Sequence, residues 1–237
     1  MPERRLLLLS NSTNYQQEYL QHAEGPIKRI LGSIPSVLFV PYAGVTVSFQ
    51  QYKFLVGKRF EAMGYELESI HDMKDPRAAV RRADAIAVGG GNTFHLLHHL
   101  YEADLIPAIR ERAMSGMPYI GWSAGSNVTC PTIKTTNDMP IVELPSFDAL
   151  GLVPFQINPH YLDSHPNGHQ GETREQRILE FVEANPDVYV VGLREGSILS
   201  VLDSRIELLG ERTIRVFKNG VATKEFGPNN RLEFLLG

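Results

Sequence analysis

Short apolar runs alternate with longer stretches of mixed polarity through the first half of the chain, and turn-forming residues fall between them. Residues 6–9 are four consecutive leucines between Arg5 and Ser10. A run of strand length with no polar face is expected of a strand buried on both sides. Ser10, Asn11, Ser12 and Thr13 follow as cap candidates for a helix predicted over 15–31 and stopped near Gly32. The pattern then predicts a strand over 36–40 ended by Pro41, a helix over 48–63 ended by Gly64, and an alternating strand over 66–70. Asp75-Pro76 reads as an N-cap with proline in the first turn of a short helix reaching Ala83. A strand over 85–88 runs into Gly89-Gly90-Gly91, helices are predicted over 93–101 and 105–115, and a strand over 119–122 leads directly into Ser123.

Strands alternating with helices predict an α/β fold: a three-layer sandwich whose mostly parallel central sheet is covered on both faces. Sites in such sheets form at the carboxyl ends of the strands, which is where Gly89–Gly91 and Ser123 both fall. The last third has a different texture. Residues 137–171 are rich in Pro, Asn, His and Gly and are expected to be largely loop, followed by a helix over 172–183 and a strand over 188–193. Beyond Ile198 come short segments separated by turn signals, with Lys218-Asn219-Gly220-Val221 as a hairpin signal, read as antiparallel strands at the sheet edge. No internal repeat, low-complexity tract or linker divides the chain, so 1–237 is read as one catalytic domain.

Composition narrows the function classes. A formal net charge of −4 opposes a broad phosphate-binding surface, so no nucleic-acid partner is expected. Hydrophobic residues at 43% and charged residues at 21% are ordinary for a globular chain of 237 residues. Four apolar residues after Arg4-Arg5 are too few for a signal peptide, whose apolar region needs roughly seven or more, and no run approaches the ~18 of a membrane span. The single cysteine, Cys130, excludes an intrachain disulfide and fits a reducing compartment, hence a cytoplasmic expectation.

Gly121-Trp122-Ser123-Ala124-Gly125 fits Gly-x-Ser-x-Gly in a strand–turn–helix context. That pattern lifts a serine out of a sheet on a sharp turn and makes Ser123 the candidate nucleophile. An acyl-transfer site also needs donors aimed at the developing oxyanion. The backbone N–H of Ala124 and those of Gly90 and Gly91 are the candidates. The Gly89–Thr93 stretch lacks the Lys-Ser/Thr of a P-loop and does not fit Gly-x-Gly-x-x-Gly.

Eight histidines compete for the role of base. His95, His98 and His99 share a predicted helix but form no His-Glu-x-x-His pattern, and read as solvated or capping residues. His160, His165 and His169 lie with Asp163 in the polar loop, where a metal site is the minor alternative. His160 alone follows an apolar strand, Phe155-Gln156-Ile157-Asn158-Pro159, and so stands at a strand end as Ser123 does. The acid that orients an imidazole is then sought among Glu195, just after the buried 188–193 strand, Asp163 and Asp138. The order Ser…His…Glu differs from the α/β-hydrolase order, in which histidine comes last, so the elbow belongs to another fold.

The chain resembles the peptidase E (aspartyl dipeptidase) family. The resemblance spans nearly the whole sequence: Leu-Leu-Leu-Ser-Asn-Ser-Thr at 7–13, Pro-Tyr-Ala-Gly-Val-Thr at 41–46, Val-Gly-Gly-Gly-Asn-Thr-Phe at 88–94, Tyr-Ile-Gly-Trp-Ser-Ala-Gly at 119–125, Cys-Pro-Thr-Ile-Lys-Thr-Thr-Asn-Asp-Met-Pro-Ile at 130–141, Gln-Ile-Asn-Pro-His at 156–160 and Gly-Glu-Thr-Arg-Glu-Gln-Arg-Ile at 171–178. It implies a class I glutamine amidotransferase-like (flavodoxin-like) fold with serine in place of the amidotransferase cysteine. It also implies a triad on Ser123, His160 and Glu195, hydrolysis of dipeptides with an N-terminal aspartate, and no metal or organic cofactor. One departure is the tail of the Glu-Gly motif, where Ser197-Ile198 replaces a Trp-rich sequence. Restriction to aspartate calls for a cation, and Arg174 is the candidate, with Asp138 or Glu172 for the free amine and Asn92 and Thr93 beside them. The alternatives are a cyanophycinase-like hydrolase of β-Asp-Arg units and a non-catalytic binder of acidic peptides. The expected assembly is a monomer or homodimer.

Overall fold

Four leucines in succession need apolar partners on both faces, and β1 (Arg5–Leu9) finds them in the middle of a sheet. In the computed structural model, which describes residues 4–163 and 171–237, seven strands pair in the order β3-β2-β4-β5-β1-β8-β9. The first five of these, β3 (Glu66–Ser69), β2 (Ser36–Val40), β4 (Ile86–Val88), β5 (Tyr119–Trp122) and β1, are mutually parallel. β8 (Ile198–Leu202) and β9 (Arg205–Leu209) close one edge antiparallel. Leu6 and Leu8 join one core with Leu96, Leu97, Leu100 and Ile109, whereas Leu7 and Leu9 join a second with Ile27, Ile30, Val56 and Phe60. The alternation is the two-residue period of a strand, and burying each leucine contributes roughly 1.5–3 kcal/mol.

The helices filling the crossovers are α1 (Glu24–Leu31), α2 (Phe49–Ala62), α3 (Pro76–Arg82), α4 (Thr93–Glu102), α5 (Ile106–Met114) and the short α6 (Ala124–Asn127). Ser48 and Gln51 form a capping box on α2, and the Asp75 side chain accepts the Ala78 N–H on α3, as its sequence signal implies. The helix predicted over 15–31 is shorter than expected. Residues 15–20 are turns, with Gln16 and Leu20 at positive φ, and only Gln21–Ala23 and α1 are helical. Pro26 explains it: without an N–H and with a ring that obstructs the preceding turn, it is tolerated only at the start of a helix.

The C-terminal strands also depart from the prediction of one antiparallel edge. Only β8 and β9 lie there. β6 (Gln156–Pro159), β7 (Val190–Leu193), β10 (Ile214–Lys218) and β11 (Val221–Phe226) form a second sheet, ordered β11-β10-β7-β6. β6 and β7 are parallel, joined through α7 (Arg174–Ala184), so the buried run at β7 marks a further βαβ unit. The Asn219-Gly220 turn joins β10 to β11. The pair β6 and β7 brings a second set of strand ends toward those of β4, β5 and β1. Among the described residues, no helix is long and apolar enough to cross a membrane.

Cys130 lies fully buried between these layers, its Sγ accepting the Ile157 N–H at 3.1 Å, and burial pushes its thiol up to about 12. A thiol whose folded pKa is raised keeps its proton. Its contribution to stability is complete below the unfolded value of ~8.5 and is lost as pH rises from there through about 12. Native protein at pH 8 is therefore expected to resist Ellman's reagent and to react fully once denatured. Rapid labelling of the native state contradicts this burial.

Candidate active site

The elbow is built by close approach. Ser123, between β5 and α6, has φ 53 and ψ −114, a conformation rarely adopted by an L residue. A Cβ on Gly121 would lie 2.3 Å from the Gly125 carbonyl oxygen, and one on Gly125 would lie 2.1 Å from that of Val88. The two glycines of the motif are thus required by backbone contact with each other and with β4. Trp122 is buried, stacks on Phe39, and donates its Nε1–H to Tyr52 Oη at 3.1 Å. Tyr52 in turn donates to the Gly90 carbonyl at 3.0 Å. The ring of Tyr52 fills the space a Cβ on Gly89 would need, and Gly91, at φ +136, packs onto the Ala43 carbonyl. This tether from elbow to glycine loop escapes the sequence, because Tyr52 is one aromatic position among several on an ordinary amphipathic helix.

The position a Cβ would take on Gly90 is 3.0 Å from the Ser123 Cβ. Among the described residues, no backbone carbonyl accepts the N–H groups of Gly90, Gly91 or Ala124. Gly90 therefore stands beside Ser123, and the amides named from sequence have no backbone acceptor among the described residues.

His160 closes β6 and also has a positive φ, 53. Its Nδ1 lies 2.7 Å from Glu195 Oε1 and its Nε2 lies 2.9 Å from Ser123 Oγ. With Nδ1–H donating to the carboxylate, Nε2 is left to accept the serine proton. Glu195 sits just past β7. The competing acids are engaged elsewhere: Asp163 holds Arg194 through two bonds, of 2.7 and 2.5 Å, and Asp138 binds Thr93 and Thr136. His95 faces the Tyr42 carbonyl, His98 faces the Glu143 carbonyl, and His98 and His99 both approach Glu102. His165 and His169, named as metal candidates with Asp163, lie outside the described residues. Among the described residues no group of three or more His, Cys, Asp or Glu is arranged to hold a metal.

A family model described as Peptidase family S51 matches residues 6–209. The chain belongs to that family. Peptidase E of Nostoc sp. is 53% identical over 234 residues, covering 98% of this chain and 97% of its own. Peptidase E of Shewanella amazonensis is 46% identical over 232 residues, covering 98% and 99%. The crystal structure of a peptidase from an acI-B1 actinobacterium matches with a TM-score of 0.70 at 19% identity, over 98% of this chain and 97% of that one, a likeness of fold. The S51 chain is a serine peptidase.

In this S51 peptidase, Asn92, Thr93 and Asp138, of the residues named for substrate binding, gather beside the glycine loop, whereas Glu172 is exposed and approaches Arg177. Asp138 Oδ2 accepts the Thr93 N–H at 2.7 Å, the Thr93 hydroxyl at 2.6 Å and the Thr136 hydroxyl at 3.1 Å. Its negative charge sits at the N-terminus of α4, where the helix dipole favours it. Asn92 caps the same helix through the His95 N–H at 3.0 Å and donates to the Met139 carbonyl. Arg174 is not paired with Glu175, which instead holds Arg215 through bonds of 2.7 and 2.9 Å. Nη1 of Arg174 donates to Asn137 Oδ1, and Asn137 Nδ2 donates to the Pro159 carbonyl, one residue before His160. Among the described residues Arg174 makes no carboxylate salt bridge, and burial draws its pKa down.

Proposed function

We propose that Ser123, His160 and Glu195 are the triad with which this serine dipeptidase hydrolyses dipeptides carrying an N-terminal aspartate. The observation that carries the reading is the imidazole of His160 held between Ser123 Oγ at 2.9 Å and Glu195 Oε1 at 2.7 Å. His160 Nε2 takes the serine proton as Oγ attacks the aspartyl carbonyl. Glu195 stabilises the imidazolium, and the amides of Gly90, Gly91 and Ala124 receive the oxyanion. The imidazolium then protonates the leaving amine. Water, activated by the same imidazole, releases aspartate from the acyl-enzyme.

Arg174 supplies the cation for the substrate's β-carboxylate, a role supported by its lack of a carboxylate partner among the described residues. Asp138 Oδ1 takes no donor among the described residues and serves the α-ammonium, with Asn92 and Thr93 holding that wall in place. The fold is read as a three-layer, class I glutamine amidotransferase-like domain spanning 1–237. The protein is read as acting in the cytoplasm as a monomer or homodimer.

The test is a panel of Asp-X, Glu-X, N-acetyl-Asp-X and β-Asp-Arg. Cleavage confined to unblocked α-Asp-X supports the reading, whereas preference for β-Asp-Arg moves the specificity to a cyanophycinase-like enzyme. In the same panel Arg174→Ala is expected to lose about 10²-fold in kcat/KM on Asp-X while changing little on Asn-X. This corresponds to the ~2.7 kcal/mol of a charge-assisted pair. A variant that still prefers aspartate removes Arg174 from the role.

A further inference from the structure

Three corners of the site carry backbones at positive φ: Ser123 at 53, His160 at 53 and Gly196, next to Glu195, at 83. Two of these are not glycine, and such residues persist only when their surroundings over-determine them. The surroundings are three consecutive residues. The Ser123 N–H donates to the Leu9 carbonyl at 3.1 Å, the His160 N–H to Ser10 Oγ at 2.9 Å, and the Gly196 N–H to Asn11 Oδ1 at 2.8 Å. Ser10 uses its remaining proton to donate to the Leu193 carbonyl at 2.8 Å, the last residue of β7, and its own N–H goes to the Ser197 carbonyl at 3.1 Å. Asn11 is held by its Nδ2, which donates to the Thr13 carbonyl and to Asn14 Oδ1, each at 2.8 Å. Ser10 and Asn11 are buried, so these bonds face little competition from solvent.

We infer that Ser10 and Asn11 are positioning residues of the peptidase reaction. Ser10 sets the His160 backbone against the end of β7, and Asn11 fixes the turn that aims Glu195. Both side chains follow a strand whose last carbonyl already holds the nucleophile, so one short stretch of main chain sets all three triad corners relative to one another. The inference rests on the triad reading above. Neither side chain is given contact with substrate. Their effect passes through the placement of His160 and Glu195, where an ångström-scale displacement costs up to ~10²-fold in rate.

The experiment compares Ser10→Ala, Asn11→Ala, Glu195→Gln and the doubles Ser10→Ala/Glu195→Gln and Asn11→Ala/Glu195→Gln, each checked by thermal melting and assayed on an Asp-X dipeptide. Expected for each new single variant is a fall in kcat of about 10- to 100-fold with KM changed less than about threefold. In the Glu195→Gln background the further loss shrinks to less than about threefold, because residues acting as one unit are not additive. Wild-type kcat in folded Ser10→Ala and Asn11→Ala overturns the inference, as does a loss fully additive with Glu195→Gln. If Ser10→Ala does not fold, Asn11→Ala and its double decide the matter alone. Should Glu195→Gln and Ser123→Ala themselves retain full activity, the triad reading has failed, a result distinguishable from failure of the positioning role.

Discussion

Ser123→Ala is expected to lower kcat/KM on Asp-X dipeptides by about 10⁵-fold, within a range of roughly 10⁴–10⁶, while leaving dipeptide affinity within a few-fold. Removing Oγ eliminates the atom that attacks, but leaves the amides of Gly90, Gly91 and Ala124 and the guanidinium of Arg174 in place. What survives is the weak acceleration a bound substrate receives from oriented donors alone. The fold should not suffer. The bond from the residue-123 N–H to the Leu9 carbonyl involves no side chain, and alanine is no more strained than serine at φ 53. The checks are steady-state kinetics, titration calorimetry with an uncleaved dipeptide, and a melting temperature within a few degrees of wild type. Activity above about 1% of wild type contradicts nucleophilic catalysis by Ser123.

Glu195→Gln is expected to reduce kcat by about 10²–10³-fold with little change in KM. The shape of the side chain is kept, so packing is not the issue. A glutamine can turn its NH₂ toward His160 Nδ1, which favours the tautomer with the proton on Nε2, where it faces Ser123 Oγ and cannot accept. It also withdraws the negative charge that stabilises the imidazolium. A buried carboxylate in this role is worth about 10⁴-fold. The smaller figure here follows from exposure: the Glu195 side chain is 56% accessible, so water supplies part of what the carboxylate gives. A rate above half of wild type, or a loss appearing only in KM, assigns the orienting acid elsewhere.

Much of this architecture is legible in sequence where one short window contains its own cause. Of the five parallel strands, β1, β2, β4 and β5 announce themselves as short apolar runs, two of them closed by Pro41 and Gly89, and β3 as an alternating one. Asp75-Pro76 and Ser48 announce helix starts, and Gly121 to Gly125 announces the elbow because both glycines are needed within five residues. Elements whose cause lies far away are less visible. The second sheet depends on β7 finding β6 and β10 rather than the main sheet, a choice that hydrophobic periodicity does not encode. The residues 10–13 looked like helix caps, yet Ser10 and Asn11 reach across 150 and 185 positions to His160 and Gly196. Arg174 was legible as a candidate cation, but its release from Glu175 depends on Arg215, forty positions away. Glu195 was one of three acids by position. What favours it is a contact the sequence does not show, 2.7 Å between its Oε1 and His160 Nδ1, while Asp163 and Asp138 hold other partners.

The division into two sheets bears on how the enzyme fails. Ser123 and the proposed oxyanion donors follow strands of the seven-stranded sheet, whereas His160 and Glu195 follow strands of the four-stranded one. The proposed proton path between Ser123 and His160 therefore crosses a seam, and its length depends on alignment across that joint. A slip of an ångström along that joint, where residues of both sheets share one hydrophobic core, would leave nearly all secondary structure intact, yet lengthen that path. Catalytic rate is accordingly a finer gauge of this molecule's alignment than any spectroscopic measure of its folding.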